Sequence, residues 1–332
     1  MARELTRELA GTRPLHPRRG RTIDWVFGDA RRFDAVAAED PLNFAPLQDP
    51  RGRSWLRDLP ASAGDLCRRW RLLPSPGDFG TGYHGVVIPV RRDGRGYVLK
   101  LTWPADRIVD EVKALSTWRG RGAVLLLEAD VERGALLLEL LQAERTLESV
   151  GLPEAAAIAG GLVRRLAVPA PDGLRFLTDI ALELASGLTE RQHRLSDPIP
   201  ARTFASVSSL ARQVSATCTN GLLVHADLHY GNVLAGTREP WLAIDPKPVS
   251  GEPEHAVPEL LWTRVDEVAD ASAIRDLLAV LVESAQLDAE KARAWAVVRC
   301  ADYWLWGLEH GLTLDPKRCE RIVNALERCS RA

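Results

Sequence analysis

The sequence predicts an α+β chain, with a mostly antiparallel β-rich part ahead of a larger, mainly helical part. Three observations carry that prediction. Short apolar runs separated by turn signals fill roughly residues 86–141. Beyond Pro153 the character of the chain changes and the segments read as helices. Within the helical part lies a polar loop, His225–Asn232, framed by the short apolar runs Gly221–Val224, Val233-Leu234 and Trp241–Ile244, which read as buried strands.

Composition narrows the class. At 332 residues, with 46% hydrophobic and 27% charged residues, the chain has ample core for two lobes and resembles a soluble globular protein. No apolar run approaches the ~20 residues of a membrane-spanning helix. The start lacks the apolar core of a signal peptide, so a cytoplasmic protein with no membrane partner is expected. Cys67, Cys218, Cys300, Cys319 and Cys329 are scattered, which suggests neither a zinc cluster nor a disulfide framework. A net charge of −2 gives no general attraction to nucleic acid. Nearly all basic residues are Arg, so the five lysines are the more informative cations.

Taken in order, residues 1–48 are Arg-rich, punctuated by Pro14, Pro17 and Gly20, and read as a solvated tail. Residues 49–142 read as a smaller β-rich lobe and 143–332 as a larger helical lobe that contains the polar loop. Ser54 to Trp70 reads as helical turns broken by Pro60. Strands are expected at Val86–Val90 and Tyr97–Trp103, joined through an Asp93-Gly94 hairpin signal. Ile108, Val112, Leu115 and Trp118 make 107–118 a helix, and strands follow at 123–127 and 135–141. Helices are then expected near 153–167, 176–192 and 202–219, and after the polar loop near 258–264, 266–285, 288–310 and 315–330.

The polar loop carries the chemistry. Asp227 is followed five residues later by Asn232, and Asp245 ends the next apolar run. Phosphoryl transfer from a nucleotide needs such a set: a carboxylate to receive the attacking hydroxyl's proton, and an Asn and an Asp to hold metal on the phosphates. Each alone has a plainer reading, since Asp and Asn commonly cap turns. His225 and His229 read as structural groups hydrogen-bonding the loop backbone, because no third ligand completes a zinc site.

Gly80-Thr-Gly82-Tyr-His-Gly85 matches G-x-G-x-x-G. A dinucleotide-binding unit would place a helix after it, but here an apolar run and a hairpin follow, which fits a glycine flap over nucleotide phosphates. A plain turn is the competing reading. Lys100 interrupts the apolar run Tyr97–Leu101, where an exposed strand face would account for it. The alternative is a phosphate-binding Lys held by a helix carboxylate, with Glu111 preferred over Asp110 because it lies beside the apolar stripe.

These residues resemble the aminoglycoside/hydroxyurea antibiotic-resistance kinases. The resemblance rests on His225–Asn232, Ala243-Ile-Asp-Pro-Lys-Pro248 and Glu259-Leu-Leu-Trp-Thr-Arg264. Trp70-Arg-Leu72, Gly120-Arg-Gly-Ala-Val124, Glu132–Leu138 and Ala292–Arg299 extend it over about residues 50–328. It implies a two-lobed protein-kinase-like fold, ATP with Mg2+, and phosphate transfer to a hydroxyl of a small molecule, with a cationic aminoglycoside first and hydroxyurea, a peptide antibiotic or a metabolite as alternatives. A nucleotide-binding module without catalysis is a further alternative, although none of the key positions is missing. The resemblance assigns Asp227 as catalytic base, Asn232 and Asp245 as magnesium ligands, and Lys100 with Glu111 as the phosphate-holding pair beside Gly80, Gly82 and Gly85. Main-chain groups from Glu139 to Leu141 would meet the adenine. Glu252, Glu254, Glu259, Asp266 and Glu267 are candidates to receive a cationic acceptor, none of them assigned. The sequence departs from the family pattern at Tyr230, where Pro is common and the bulkier side chain is expected to shape the acceptor side, and at His255-Ala256-Val257, where an aromatic residue and Asp are common.

Overall fold

The structure, a computed structural model, describes residues 44–75 and 80–327. Expectations for the Arg-rich tail before residue 44, for Gly77–Phe79 and for Cys329 lie outside the described residues. The chain divides into two compact units, one reaching to Arg145 and including Leu234–Pro240, the other made of Thr146–Val233 and the chain from Trp241 on.

The first unit begins with a short helix α1 (Ala45–Gln48) and a long one, α2 (Pro50–Trp70). Asp49 caps α2, its carboxylate accepting from the Arg51 N–H at 2.6 Å. The expected break at Pro60 does not occur: α2 runs through it. Its buried stripe, Leu56, Leu59, Ala63, Leu66, Cys67 and Trp70, continues on both sides of the proline, so packing outweighs one lost hydrogen bond. The sheet has the order β1 (Leu73–Pro74), β3 (Gly85–Arg92), β4 (Arg95–Thr102), β6 (Ala135–Glu139), β5 (Leu126–Asp130), with β2 (Gly80–Gly82) paired to β3. The described neighbours are antiparallel. Asp93 and Gly94 turn β3 into β4 with φ of 52° and 77°, as a two-residue hairpin matching strand twist requires. Val86, Ile88, Val90, Leu99, Leu101 and Leu137 meet the α2 stripe in one core. Lys100, alternating with Leu99 and Leu101, therefore faces the other side of the sheet. Helix α3 (Ile108–Trp118) buries Ile108, Ala114, Leu115 and Trp118. The strand expected at 123–127 lies later, and the one expected to reach Leu141 ends at Glu139; Leu140 and Leu141 bridge to β7 (Gln142–Thr146).

The second unit carries α4 (Leu152–Leu166), α5 (Leu177–Arg194) and α6 (Ala201–Thr217), close to the expected spans. Strand β8 (Leu222–Val224) leads into the polar loop; β9 (Val233–Ala235), of which Leu234 and Ala235 count with the first unit, and β10 (Trp241–Ala243) follow it along the chain, and β11 (Val249–Gly251) pairs antiparallel with β8. Helices α7 (Val257–Trp262), α8 (Ala271–Ala285), α9 (Ala289–Glu309) and α10 (Leu314–Glu327) complete it. The helix expected from residue 266 starts only at Ala271, because Asp270 adopts extended backbone and caps α8, accepting from Ser272 and Ala273 N–H groups at 2.8 and 3.0 Å. Helices α9 and α10 pack together around buried Cys300 and Cys319, whose thiols hydrogen-bond each other. No helix among the described residues is long and apolar enough to cross a membrane.

Candidate active site

Two main-chain bonds tie the polar loop to the Asp245 segment, and a third closes the loop on itself. The Ile244 N–H donates to Asn232 O at 2.9 Å, the Lys247 N–H to His225 O at 3.0 Å, and the Asp227 N–H to His225 O at 2.8 Å. The Asn232 side-chain amide donates to Asp227 O at 2.9 Å. Ala226 and Asp245 both take left-handed backbone, φ 53° and 54°, a costly conformation for residues with a Cβ that the surrounding bonds hold in place. His225 Nε2 bonds to Ile244 O at 2.9 Å, and His229 Nδ1 accepts from the Gly231 N–H at 3.1 Å. Burial pulls both imidazoles down to about 4, so they are neutral braces, as the sequence reading expected.

Asp227 is largely enclosed, its side chain 13% exposed, and Lys247 Nζ lies 2.8 Å from its Oδ2. Burial raises its proton affinity and the Lys247 ammonium opposes this; the net shift is upward. A carboxylate moved in that direction is better matched to proton abstraction near neutral pH. Asn232 is buried with its Oδ1 unpartnered among the described residues, while Asp245 is exposed. A buried amide oxygen lacking a protein donor suits a hard cation, and an Asn with one carboxylate is a set that Mg2+ accepts when phosphates and waters complete its shell. No group of three or more His, Cys, Asp or Glu side chains poised for a metal occurs among the described residues.

Tyr230 is not a wall of an acceptor pocket. It is fully buried, its ring 5.0 Å from the Arg264 guanidinium carbon, and its hydroxyl has no partner among the described residues. Arg264 in turn donates to Val150 O at 2.9 Å and pairs with Glu267 at 2.6 Å. The departure from Pro thus builds a prop under the loop. His255 is likewise buried, edge-on to Trp295 at 4.9 Å, with Arg299 Nη1 2.8 Å from its Nε2.

In the first unit, Lys100 Nζ lies 2.8 Å from both carboxylate oxygens of Glu111, and the two side chains are 15% and 7% exposed. Asp110, the rival partner, pairs with Lys113 instead. Gly85 has a packing reason of its own: a Cβ there would stand 2.2 Å from Leu101 O. A Cβ at Gly80 would meet Val87 at 2.9 Å, whereas Gly82 faces open space. The Glu139 N–H is used by Leu125 O at 3.0 Å, and its carboxylate holds the Leu125 N–H at 2.7 Å and Arg238 at 2.6 Å. Leu141 lies outside the strands.

The five acids considered for a cationic acceptor all have internal partners. Glu252 takes Lys291 and the Trp295 indole N–H at 2.7 and 2.6 Å. Glu254 accepts from the Asp288 N–H at 3.0 Å, and Glu259 pairs with Arg299. Asp266 pairs with Arg318 and Arg321, and Glu267 with Arg264. An acid that the sequence reading missed is Glu148, exposed beside the loop: a Cβ at Gly231 would come within 3.1 Å of its Oε1. No local sequence signal marks it, because its nearness to Gly231 is tertiary.

Residues 69–311 match the aminoglycoside/hydroxyurea antibiotic resistance kinase family. Similar relatives include streptomycin 6-kinase of Streptomyces glaucescens, 38% identical over 85% of this chain and 94% of that one. Hydroxyurea phosphotransferase of Kitasatospora aureofaciens is 40% identical over 89% of this chain and 88% of its own. Among solved structures, a thermostable mutant of aminoglycoside phosphotransferase APH(4)-Ia in its apo form aligns at a TM-score of 0.54 with 18% identity, covering 78% of this chain and 97% of that one. Choline kinase LicA from Streptococcus pneumoniae aligns at 0.50 with 15% identity over 79% and 98%. These likenesses show a protein-kinase-like fold.

Proposed function

Because this chain belongs to the aminoglycoside/hydroxyurea antibiotic resistance kinase family and is a small-molecule phosphotransferase, we propose that it moves the terminal phosphoryl of ATP to a hydroxyl of a small antibiotic. The observation that carries this reading is the laced loop, which gathers a proton-seeking Asp227, the unpartnered Oδ1 of Asn232 and Asp245. Asp227 accepts the acceptor's hydroxyl proton as its oxygen attacks phosphorus. Asn232 and Asp245 would hold Mg2+, which supplies charge neutralisation at the phosphates. Lys100, fixed by Glu111, would hold phosphate oxygens; the backbone of the Gly80–Gly85 hairpin and of Leu141 would serve the nucleotide, Leu141 at its base. ATP supply places the work in the cytoplasm.

For the acceptor, we propose an aminoglycoside of the streptomycin type, supported by the streptomycin 6-kinase relatives. A specific observation favours a second reading, hydroxyurea: the five acids expected to meet a polycation are already matched by internal partners. The hydroxyurea phosphotransferase relative supports the same reading. Incubation with γ-labelled ATP and a panel containing streptomycin, other aminoglycosides and hydroxyurea separates the two. Label on streptomycin supports the first, label on hydroxyurea alone the second, and label on neither overturns both.

A further inference from the structure

Lys247 is one of only five lysines in a chain that otherwise uses Arg for its positive charge. Its backbone is firmly mounted. Pro246 and Pro248 flank it, restricting its φ and ψ range, and its N–H is spent on His225 O at 3.0 Å. Its side chain is the opposite case: 64% exposed, with four rotatable carbons ending in an ammonium 2.8 Å from Asp227 Oδ2. Asp245 and Glu259 also attract that ammonium. The arrangement is a rigid mount carrying a movable charge.

A permanent Lys247–Asp227 pair would work against the reaction. An ammonium on a general base stabilises its ionised form and weakens it as a proton acceptor. A largely exposed Lys also gives little stability through one ion pair. The ammonium stands among Asp227, which serves the attacking oxygen, and Asp245, which serves the metal. In an in-line transfer the phosphoryl group passes between these two roles. When the nucleotide arrives, its anionic terminal phosphate offers the ammonium a more highly charged partner than one carboxylate.

We propose that Lys247 is a catalytic residue that binds the phosphoryl group in transit, leaving Asp227 free as it does so. The inference rests on the transfer reading given above. In the step itself, the acceptor oxygen forms a bond to the γ-phosphorus and its proton passes to Asp227. The bond from that phosphorus to the β,γ-bridging oxygen breaks, its electron pair leaving with ADP. The Lys247 ammonium stays protonated throughout and donates hydrogen bonds to the equatorial oxygens.

The test uses the full chain and needs no knowledge of the acceptor. Affinity for MgADP is compared with affinity for MgADP plus aluminium fluoride, a planar mimic of the phosphoryl in transit, in the unaltered protein, Lys247→Met and Lys247→Arg. The unaltered protein should bind the fluoride complex more tightly than MgADP alone. Lys247→Met should lose about 10²–10³-fold of that tightening, the usual loss for one transition-state donor, while its affinity for MgADP alone is unchanged. Lys247→Arg should regain part of it, which a merely structural role would not produce. Full tightening in Lys247→Met overturns the proposal while leaving the transfer reading intact. No tightening in the unaltered protein overturns the transfer reading, and the assignment with it.

Discussion

Replacing Lys100 by Met removes one half of a pair whose geometry sets the cost. Lys100 Nζ sits 2.8 Å from both oxygens of Glu111, and the Glu111 side chain is 7% exposed. Losing the ammonium strands a carboxylate that water reaches poorly. Breaking one partner of a buried pair costs about 3–5 kcal/mol, and the partial exposure of Lys100 puts the expected loss near the lower end. For a unit of this size that lowers the melting midpoint by roughly 6–12 °C. Glu111→Gln should cost a similar amount by stranding the ammonium. The double variant Lys100→Met/Glu111→Leu leaves no orphan charge, so it should recover much of the stability while remaining catalytically poor. Thermal unfolding followed by circular dichroism reads the stability, and KM for ATP in the transfer assay reads the function, with KM rising in both variants that lack Lys100. Should both single variants melt like the parent, the pair is not a buried, mutually dependent unit. Should Lys100→Met keep its KM, the ammonium does not serve the nucleotide.

Other perturbations test the loop directly. Asp227→Ala should lower kcat by orders of magnitude while binding of a non-hydrolysable ATP analogue persists, because the role proposed for it is confined to the transfer step; steady-state kinetics and calorimetry check the two halves. Asp245→Ala should blunt the dependence of nucleotide binding on Mg2+, read as the slope of affinity against magnesium concentration. Tyr230→Phe should leave melting temperature and activity almost unchanged, since the hydroxyl has no partner among the described residues; Tyr230→Ala should cost about 3–5 kcal/mol through the cavity beneath the loop. His225 and His229 have imidazoles lowered to about 4 from 6.5, so each contributes stability present above pH 6.5 and lost as pH falls toward 4. Between pH 7 and pH 5 the loss is about 2 kcal/mol per histidine, seen as an earlier denaturant midpoint at pH 5; equal midpoints would mean that the rings are charged or exposed when folded.

Much of this was legible one residue at a time, where local chemistry dictates geometry. Asp93-Gly94 announces its hairpin because the turn demands positive φ at both positions. The α3 stripe fixed the side of the helix, and with it the choice of Glu111 over Asp110. Pro60 misled because a local penalty was read without the long buried stripe that overrides it. The helix expected from residue 266 began late because Asp270 looked like an ordinary polar residue until its backbone left the helical region. Tyr230 looked like a residue that shapes an acceptor site, since nothing in its neighbourhood reveals that Arg264, thirty-four positions on, lies over its ring.

The acids show where a one-dimensional reading stops. A cluster of Glu and Asp after the loop suggests attraction for a polycation, yet charge along the chain is not charge in space. Glu259 makes the point most sharply. It lies at the foot of the loop, 2% exposed, bonded to Arg299 through one oxygen while the other is unpartnered among the described residues. Burial pushes its carboxyl up to about 7 and Arg299 pulls the other way, so what charge it carries is spent inside the fold and not offered to a ligand. A polycationic acceptor would then have to find its counter-charges elsewhere, and exposed Glu148 beside Gly231 is one carboxylate placed for it. Glu148→Gln should therefore weaken KM for streptomycin and spare KM for hydroxyurea, which carries no charge to be met. Equal effects on the two acceptors would assign Glu148 to the loop's own architecture.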